Sequence, residues 1–308
     1  MDDTQDVNPP GLVRTERDGS EGPLDTGLNS RSSRSALPWQ RSTRRSLGNA
    51  GLAVVTGSSS GIGQATARLL AQRGHPTVLI ARRHDALYSL ARELGAWAPS
   101  VPVALDVSDD RAARAAFARL SRDSGPVRIL VNCAGSGHYQ PFLSQALEEN
   151  RQMMQVHYFA AVTAIRSVLP GMIEQRAGHV INIGSMSTKT GPWGHSGYSA
   201  AKAAITALTQ TLAAEYSSSG VRFSVVHPGI VDTPFFDSPD LQPLRRRLRR
   251  HLISPERVAQ TVVRLIDRPR LEVCVPRHYR LVDTIKALCP RLLHHLVTAR
   301  SRPARIRG

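Results

Sequence analysis

At 308 residues and 41% hydrophobic content, the chain is long enough for one large domain or two modest ones, and its apolar share is that of an ordinary globular protein. The formal net charge of +16 invites a nucleic-acid or membrane reading, yet only Lys189, Lys202 and Lys286 of the 40 basic residues are lysines. That arginine skew reads as background composition, and with no helix-turn-helix, zinc-finger or RNA-binding pattern beside it, nucleic acid is not an expected partner.

Residues 1–46 are rich in Asp, Ser, Pro, Gly and Arg with little hydrophobic periodicity. They read as a disordered tail, negative up to Asp25 and positive from Arg31 to Arg45. Such a tail is either a docking arm or upstream sequence brought in by an early start codon. From Gly51 onward, short β-branched or aliphatic runs predict strands over 52–56, 77–81, 101–106, 129–132, 179–184, 222–227 and 271–275. Between them the helical patterns fall at 62–73, 86–94, 110–121, 145–174, 198–217 and 255–267. Strands alternating with helices make βαβ units and a parallel sheet covered on both faces. The expected fold is therefore α/β: one Rossmann-like, doubly wound parallel sheet within residues 47–275.

Residues 276–308 form a basic, amphipathic ending in which Leu288, Leu292, Leu293 and Leu296 recur at helical spacing and Pro290 interrupts. This is either a helix packed on the domain or an interfacial helix in peripheral contact with an anionic membrane. Cys133, Cys274 and Cys289 are odd in number, far apart and without metal-ligand spacing, so reduced thiols and no metal are expected. No run approaches the roughly 18 apolar residues of a membrane span. The N-terminus is unlike a secretory signal, and a cytoplasmic location is expected.

Val54, Val55 and Thr56 run directly into a turn, Gly57-Ser58-Ser59-Ser60-Gly61, and a helix follows at Ile62 and Gly63. Lacking a β-carbon, Gly57 makes a tight turn, while Gly61 and Gly63 let a phosphate approach the helix. The amides and dipole at that helix N-terminus favour a pyrophosphate. The next strand ends Ile80-Ala81-Arg82-Arg83. An acid near this point suits the ribose hydroxyls of NAD; two guanidiniums suit a 2′-phosphate instead. NADP(H) is thus expected over NAD(H), the alternative being two solvated arginines partly neutralised by Asp85.

Tyr198 and Lys202 stand four residues apart in SGYSAAKAAI, a spacing that puts both on one helix face. Together with Ser185 they complete a resemblance. The chain resembles the short-chain dehydrogenase/reductase family over about 51–275, through TGSSSGIG at 56–63, ALDVSD at 104–109, VNCAG at 131–135, INIGS at 181–185, YSAAK at 198–202 and HPGIVDT at 227–233.

The resemblance implies a carbonyl–alcohol oxidoreductase. Tyr198 would exchange the proton, Ser185 would hydrogen-bond the substrate oxygen, and Lys202 would hold the nicotinamide ribose and depress the tyrosine pKa. Lowering a tyrosine by about three units takes about 4 kcal/mol, which one cation about 4 Å away supplies at an effective dielectric of about 20. Asp106 and Val107 would flank the adenine. Asn132, Ala134 and Gly135 would line the cleft and steady the sheet, and Pro228, Gly229, Val231 and Thr233 would close over the nicotinamide. Pairing through the two long helices would give a homodimer or homotetramer.

One departure stands out. The family usually carries an asparagine in the long central helix that orders a water behind the lysine; here the segment reads Gln155-Val156-His157-Tyr158-Phe159. His157 either sustains that relay in altered form, leaves the protein a catalytically impaired NADP-binding regulator, or is a buried imidazole with a backbone partner. Phe235, Phe236, Met186, Trp193 and His195 point to an apolar substrate pocket for a steroid-, retinoid- or lipid-like compound. The arginines from Arg245 to Arg250 leave open an acidic carrier protein, and hence a 3-oxoacyl reductase.

Overall fold

The apolar runs form seven parallel strands in the computed structural model, which describes residues 51–123, 125–239 and 241–301. The tail expected over 1–46 lies outside the described residues. The strands are β1 Leu52–Thr56, β2 Thr77–Ala81, β3 Ser100–Ala104, β4 Val127–Asn132, β5 Gly178–Ile183, β6 Val221–Pro228 and β7 Glu272–Val275. They lie in the order β3-β2-β1-β4-β5-β6-β7. Every pair is parallel, with registers such as Val54 opposite Val78 and Leu130 opposite Val180. β1 and β2 are buried along their whole length, as unbroken aliphatic strands between two helical layers must be.

One layer holds α1 Gly61–Gln72, α2 His84–Leu94 and a helix over Pro255–Asp267, which bury Leu70, Leu87, Leu90, Val258 and Val262 against the sheet. The other holds α3 Asp110–Asp123, α4 Leu147–Glu174 and α5 Ser196–Glu215, contributing Phe117, Ile165, Val168 and Met172, with Leu208 and Leu212 packed alongside. With the Pro255–Asp267 helix as α6, two further helices follow the last strand: α7 Leu281–Leu288 and α8 Pro290–Ser301. Pro290 starts the second of them, at the one position where its missing N–H costs nothing.

Two expectations change. The long central helix is regular only to Met154; Gln155–Phe159 is a π-helical turn, and α-helix resumes at Ala160. The extra residue in that turn is invisible to a 3.6-residue pattern. Contrary to the expectation that no run comes near a membrane span, α4 is long and apolar enough to be one by composition. Its apolar side, with Ala164, Ile165, Val168, Leu169 and Met172 buried, packs on the sheet instead.

The strand order reverses between β1 and β4. In an open α/β sheet the connections leave in opposite directions at that point, and a crevice opens beyond the strand C-termini.

Candidate active site

That crevice is a cavity of about 960 Å³, near the upper end of the roughly 300–1,000 Å³ of ligand pockets. Its floor is the strand ends. Thr56 closes β1 by accepting the Cys133 and Ala134 amides at 3.0 and 3.2 Å, which locks the glycine turn to the end of β4. Gly57 sits at φ +69° with Ala134 so close that a β-carbon would lie 2.8 Å from its backbone. Gly61, at φ +54°, would drive one into Thr233 at 2.8 Å. No other residue type fits these two positions without strain. Ser60, the N-cap of α1, makes no side-chain capping bond, so the first-turn amides remain for a ligand.

At the β2 end, Arg83 lies over the turn. Its Nε reaches the Ser59 hydroxyl at 3.2 Å, and its Nη2 reaches the same hydroxyl at 3.1 Å and the Ser59 carbonyl at 3.2 Å. Arg82 stands 3.9 Å from Asp106 with its side chain 71% exposed. Burial works against the Asp106 carboxylate, but the hydroxyl and amide of Ser108, with Arg82, hold its pKa below the ordinary range. Arg82 thus faces Asp106, while Arg83 faces Ser59 on the glycine turn.

Ser185, Tyr198, Lys202 and His157 line the same cavity. The Ser185 hydroxyl acts to lower the Tyr198 phenol, and accepts the Ser187 amide at 3.1 Å. Lys202, 5% exposed, donates to the Ile183 carbonyl at 2.7 Å, with Nζ 5.9 Å from the Tyr198 ring centroid. Burial lowers the Lys202 ammonium to about 8. Burial pushes the phenol up to about 12, against the Ser185 hydroxyl. The expectation that Lys202 depresses Tyr198 is therefore not met by the protein's own groups. The ammonium is spent on a backbone carbonyl at the distance found, and taking the phenolate out of water costs more than the lysine returns.

His157, in the π-turn, meets Tyr198 edge-on with ring centroids 5.3 Å apart. Its Nε2 donates to the Ser136 carbonyl at 2.6 Å, so Nδ1 is the unprotonated nitrogen, buried and without a partner. Burial first, then Lys202, holds this histidine well below its usual pKa and keeps it neutral. Behind the lysine a second cavity of about 10 Å³ is bounded by Lys202, His157, Asn132 and Thr56, about the room that one water needs.

Of the residues expected to meet the cofactor, Gly57, Ser59, Ser60, Gly61, Ile62, Arg82, Arg83, Asp106, Val107, Ala134, Gly135, Pro228, Gly229, Val231 and Thr233 line the large cavity. Thr56 and Asn132 border only the small one, and Gly63 borders neither. Asn132 faces inward because its amide donates to Asn182 at 2.8 Å, and Asn182 in turn donates to Thr209, stitching β4 to β5 and α5. Gly63 is needed underneath, where a β-carbon would lie 2.3 Å from the Gly57 carbonyl. Met186, Trp193, His195, Phe235 and Phe236 do line the cavity.

Sequence reasoning missed Tyr279, Val282, Ile285, Leu293, Leu296 and Val297, which also line it. It also missed a cluster beneath Ser185. His227, fully buried, has Nδ1 3.1 Å from the Ser185 carbonyl and Nε2 3.3 Å from Glu272. Lys189 joins Glu272 to Asp283. The His227 imidazole, and after it Lys189, draw the Glu272 carboxyl down to about 2 despite burial.

Comparison with known proteins agrees with this geometry. The sequence model of the short chain dehydrogenases matches residues 51–242. A short chain dehydrogenase of Pseudocercospora fijiensis is 32% identical over 255 residues, 78% of this chain and 82% of that one. Carbonyl reductase family member 4 of Xenopus laevis is 29% identical, over 70% of this chain and 90% of its own. Among solved structures, L-sorbose reductase from Gluconobacter frateurii, complexed with NADPH and L-sorbose, superposes with TM-score 0.65 at 30% identity, covering 70% of this chain and 89% of that one.

Proposed function

The chain belongs to the short-chain dehydrogenase/reductase family and is an oxidoreductase, and from that premise we propose that it interconverts a carbonyl and a secondary alcohol on a hydrophobic substrate with NADP(H). The observation that carries this reading is that Ser185, Tyr198 and Lys202 line one cavity with the glycine turn and Arg83. When bound, the nicotinamide supplies or accepts the hydride.

The residues fit such a group. Gly57 and Gly61 make the cradle that a β-carbon would fill, and the first-turn amides of α1 suit a pyrophosphate. Arg82, Arg83 and Ser59 suit a 2′-phosphate and favour NADP(H) over NAD(H). Tyr198 gives its proton to the carbonyl oxygen or takes it back. Ser185 donates to that oxygen as charge develops on it. Lys202 would hold and orient the ribose. His157 is a positioning group: its orphaned Nδ1 accepts from whatever donor fills the gap behind Lys202.

Phe142, Leu143, Leu147 and Phe159, on or just before α4, are exposed apolar side chains, which is compatible with pairing through that helix in a homodimer or homotetramer. The test is a screen of NADPH oxidation across ketones and aldehydes of graded polarity. Turnover confined to apolar carbonyls supports the reading. Tight NADPH binding with no carbonyl consumed overturns it in favour of a cofactor-binding regulator.

A further inference from the structure

We propose that α7 and α8 form the far wall of the substrate cavity and select a long, uncharged, apolar carbonyl compound over a short one. This rests on the reading of the site as a carbonyl–alcohol oxidoreductase and names its substrate class.

The cavity that holds Ser185 and Tyr198 continues to Val282 and Ile285 of α7 and to Leu293, Leu296 and Val297 of α8. Positions 282 and 285, like 293, 296 and 297, are spaced three or four residues apart, so each set is one face of its helix. Both faces turn to the cavity. Leu293 is buried, Val282, Ile285 and Val297 are half-buried, and Leu296 is 42% exposed. Leu244 and Leu248 line the same cavity. An apolar stripe on two packed helices that protein covers only in part is the surface that a ligand would bury.

The wall is fastened to the catalytic end. Lys189 lies four residues past Ser185, in the turn Ser187–Thr190. Its ammonium donates to both oxygens of Asp283 on α7, at 2.8 and 2.9 Å, and pairs with Glu272 on β7. Tyr279, just before α7, packs on Gly229 so closely that a β-carbon there would be 2.6 Å from its ring. The segment carrying Ser185 and the start of α7 are thus one assembly.

The chemistry of the lining limits the ligand. α7 and α8 contribute only aliphatic side chains to the cavity. No cation among these lining residues would neutralise a carboxylate or phosphate, and no donor row would match a sugar. A saturated or isoprenoid chain loses nothing there and gains by leaving water, about fourfold in binding per buried methylene.

The test uses straight-chain 2-ketones from butanone to 2-dodecanone on the full chain with NADPH. They are read as substrates by NADPH oxidation, and as ligands of the Tyr198→Phe protein by the change in tryptophan fluorescence, since Trp193 lines the cavity. Expected are gains of about fourfold per methylene over part of the series in both readouts. Ile285→Trp and Val282→Trp, each checked for an unchanged melting temperature, should lower the values for 2-decanone at least tenfold more than those for butanone. Length-dependent binding that is sensitive to these substitutions, with no ketone reduced, upholds the wall and rejects the reaction. Values flat with chain length, or equal losses for long and short ketones, overturn the wall whether or not the reaction stands.

Discussion

Lys202 stands beneath Tyr198 with its ammonium 5.9 Å from the ring centroid, donating at 2.7 Å to the Ile183 carbonyl rather than to the phenol. Each group is shifted against ionisation by burial.

That arrangement sets a pH dependence. Burial lowers Lys202 to about 8 and raises Tyr198 to about 12, so on raising the pH the lysine charge is lost before the phenolic proton. Below about pH 8 the lysine is charged and able to orient the ribose; above it the charge is gone. The value of kcat/KM for NADPH, which reports groups of the free enzyme, is expected to fall with a single break near pH 8. Lys202→Arg should remove that break, because a guanidinium stays charged. A profile level to about pH 10 would contradict the assignment.

Arg82 and Arg83 are expected to read the 2′-phosphate. Losing a charge-assisted hydrogen bond costs about 1.5–3 kcal/mol, or roughly tenfold to hundredfold. Arg82→Ala and Arg83→Ala should each raise the KM for NADPH by about that factor and change the KM for NADH much less. Arg83, with three contacts to Ser59, should have the larger effect. Equal effects on the two cofactors would refute the preference.

His157 and Gly135 are matched in size. A β-carbon at position 135 would lie 2.4 Å from His157 Cε1, and overpacking of this kind costs about 1–3 kcal/mol. Gly135→Ala should therefore lower Tm by roughly 2–10 °C, and His157→Ala in the same chain should restore most of the loss. Strict additivity of the two changes in calorimetry would show that the residues are not coupled.

The role of His157 itself separates by substitution. If its orphaned Nδ1 helps to order the donor behind Lys202, His157→Ala should reduce kcat about tenfold, the worth of one hydrogen bond of about 1.4 kcal/mol, with KM for NADPH nearly constant. His157→Asn should retain kcat or improve it. An unchanged kcat in His157→Ala would leave the imidazole with a packing role alone.

The parts of the molecule legible in advance are those whose geometry is local. The turn from Gly57 to Gly61 follows from residues that alone tolerate positive φ, and Tyr198 with Lys202 follows from helical spacing. The seven strands followed from aliphatic runs because a parallel sheet buries both faces. What escaped depends on distance or on backbone irregularity. Lys189 meets Glu272 and Asp283 across 83 and 94 residues, and no pattern in either segment announces the other. The π-turn at His157 keeps a helical appearance in sequence. The stripe Leu288, Leu292, Leu293 and Leu296 was visible as amphipathic, but only the fold shows that Leu293 and Leu296 border the cavity while Leu288 and Leu292 face outward. The Tyr198 acidity was misjudged because a formal charge near a phenol was weighed without the desolvation of both.

The most direct measurement compares Tyr198→Phe with the unaltered protein in NADPH-dependent reduction of an accepted ketone, with NADPH affinity determined on the same samples. Removing one hydroxyl should lower kcat by at least about hundredfold, the usual worth of a positioned proton donor, while the Kd for NADPH stays within about threefold. A Tyr198→Phe protein that reduces the ketone at an undiminished rate would contradict the account at its centre.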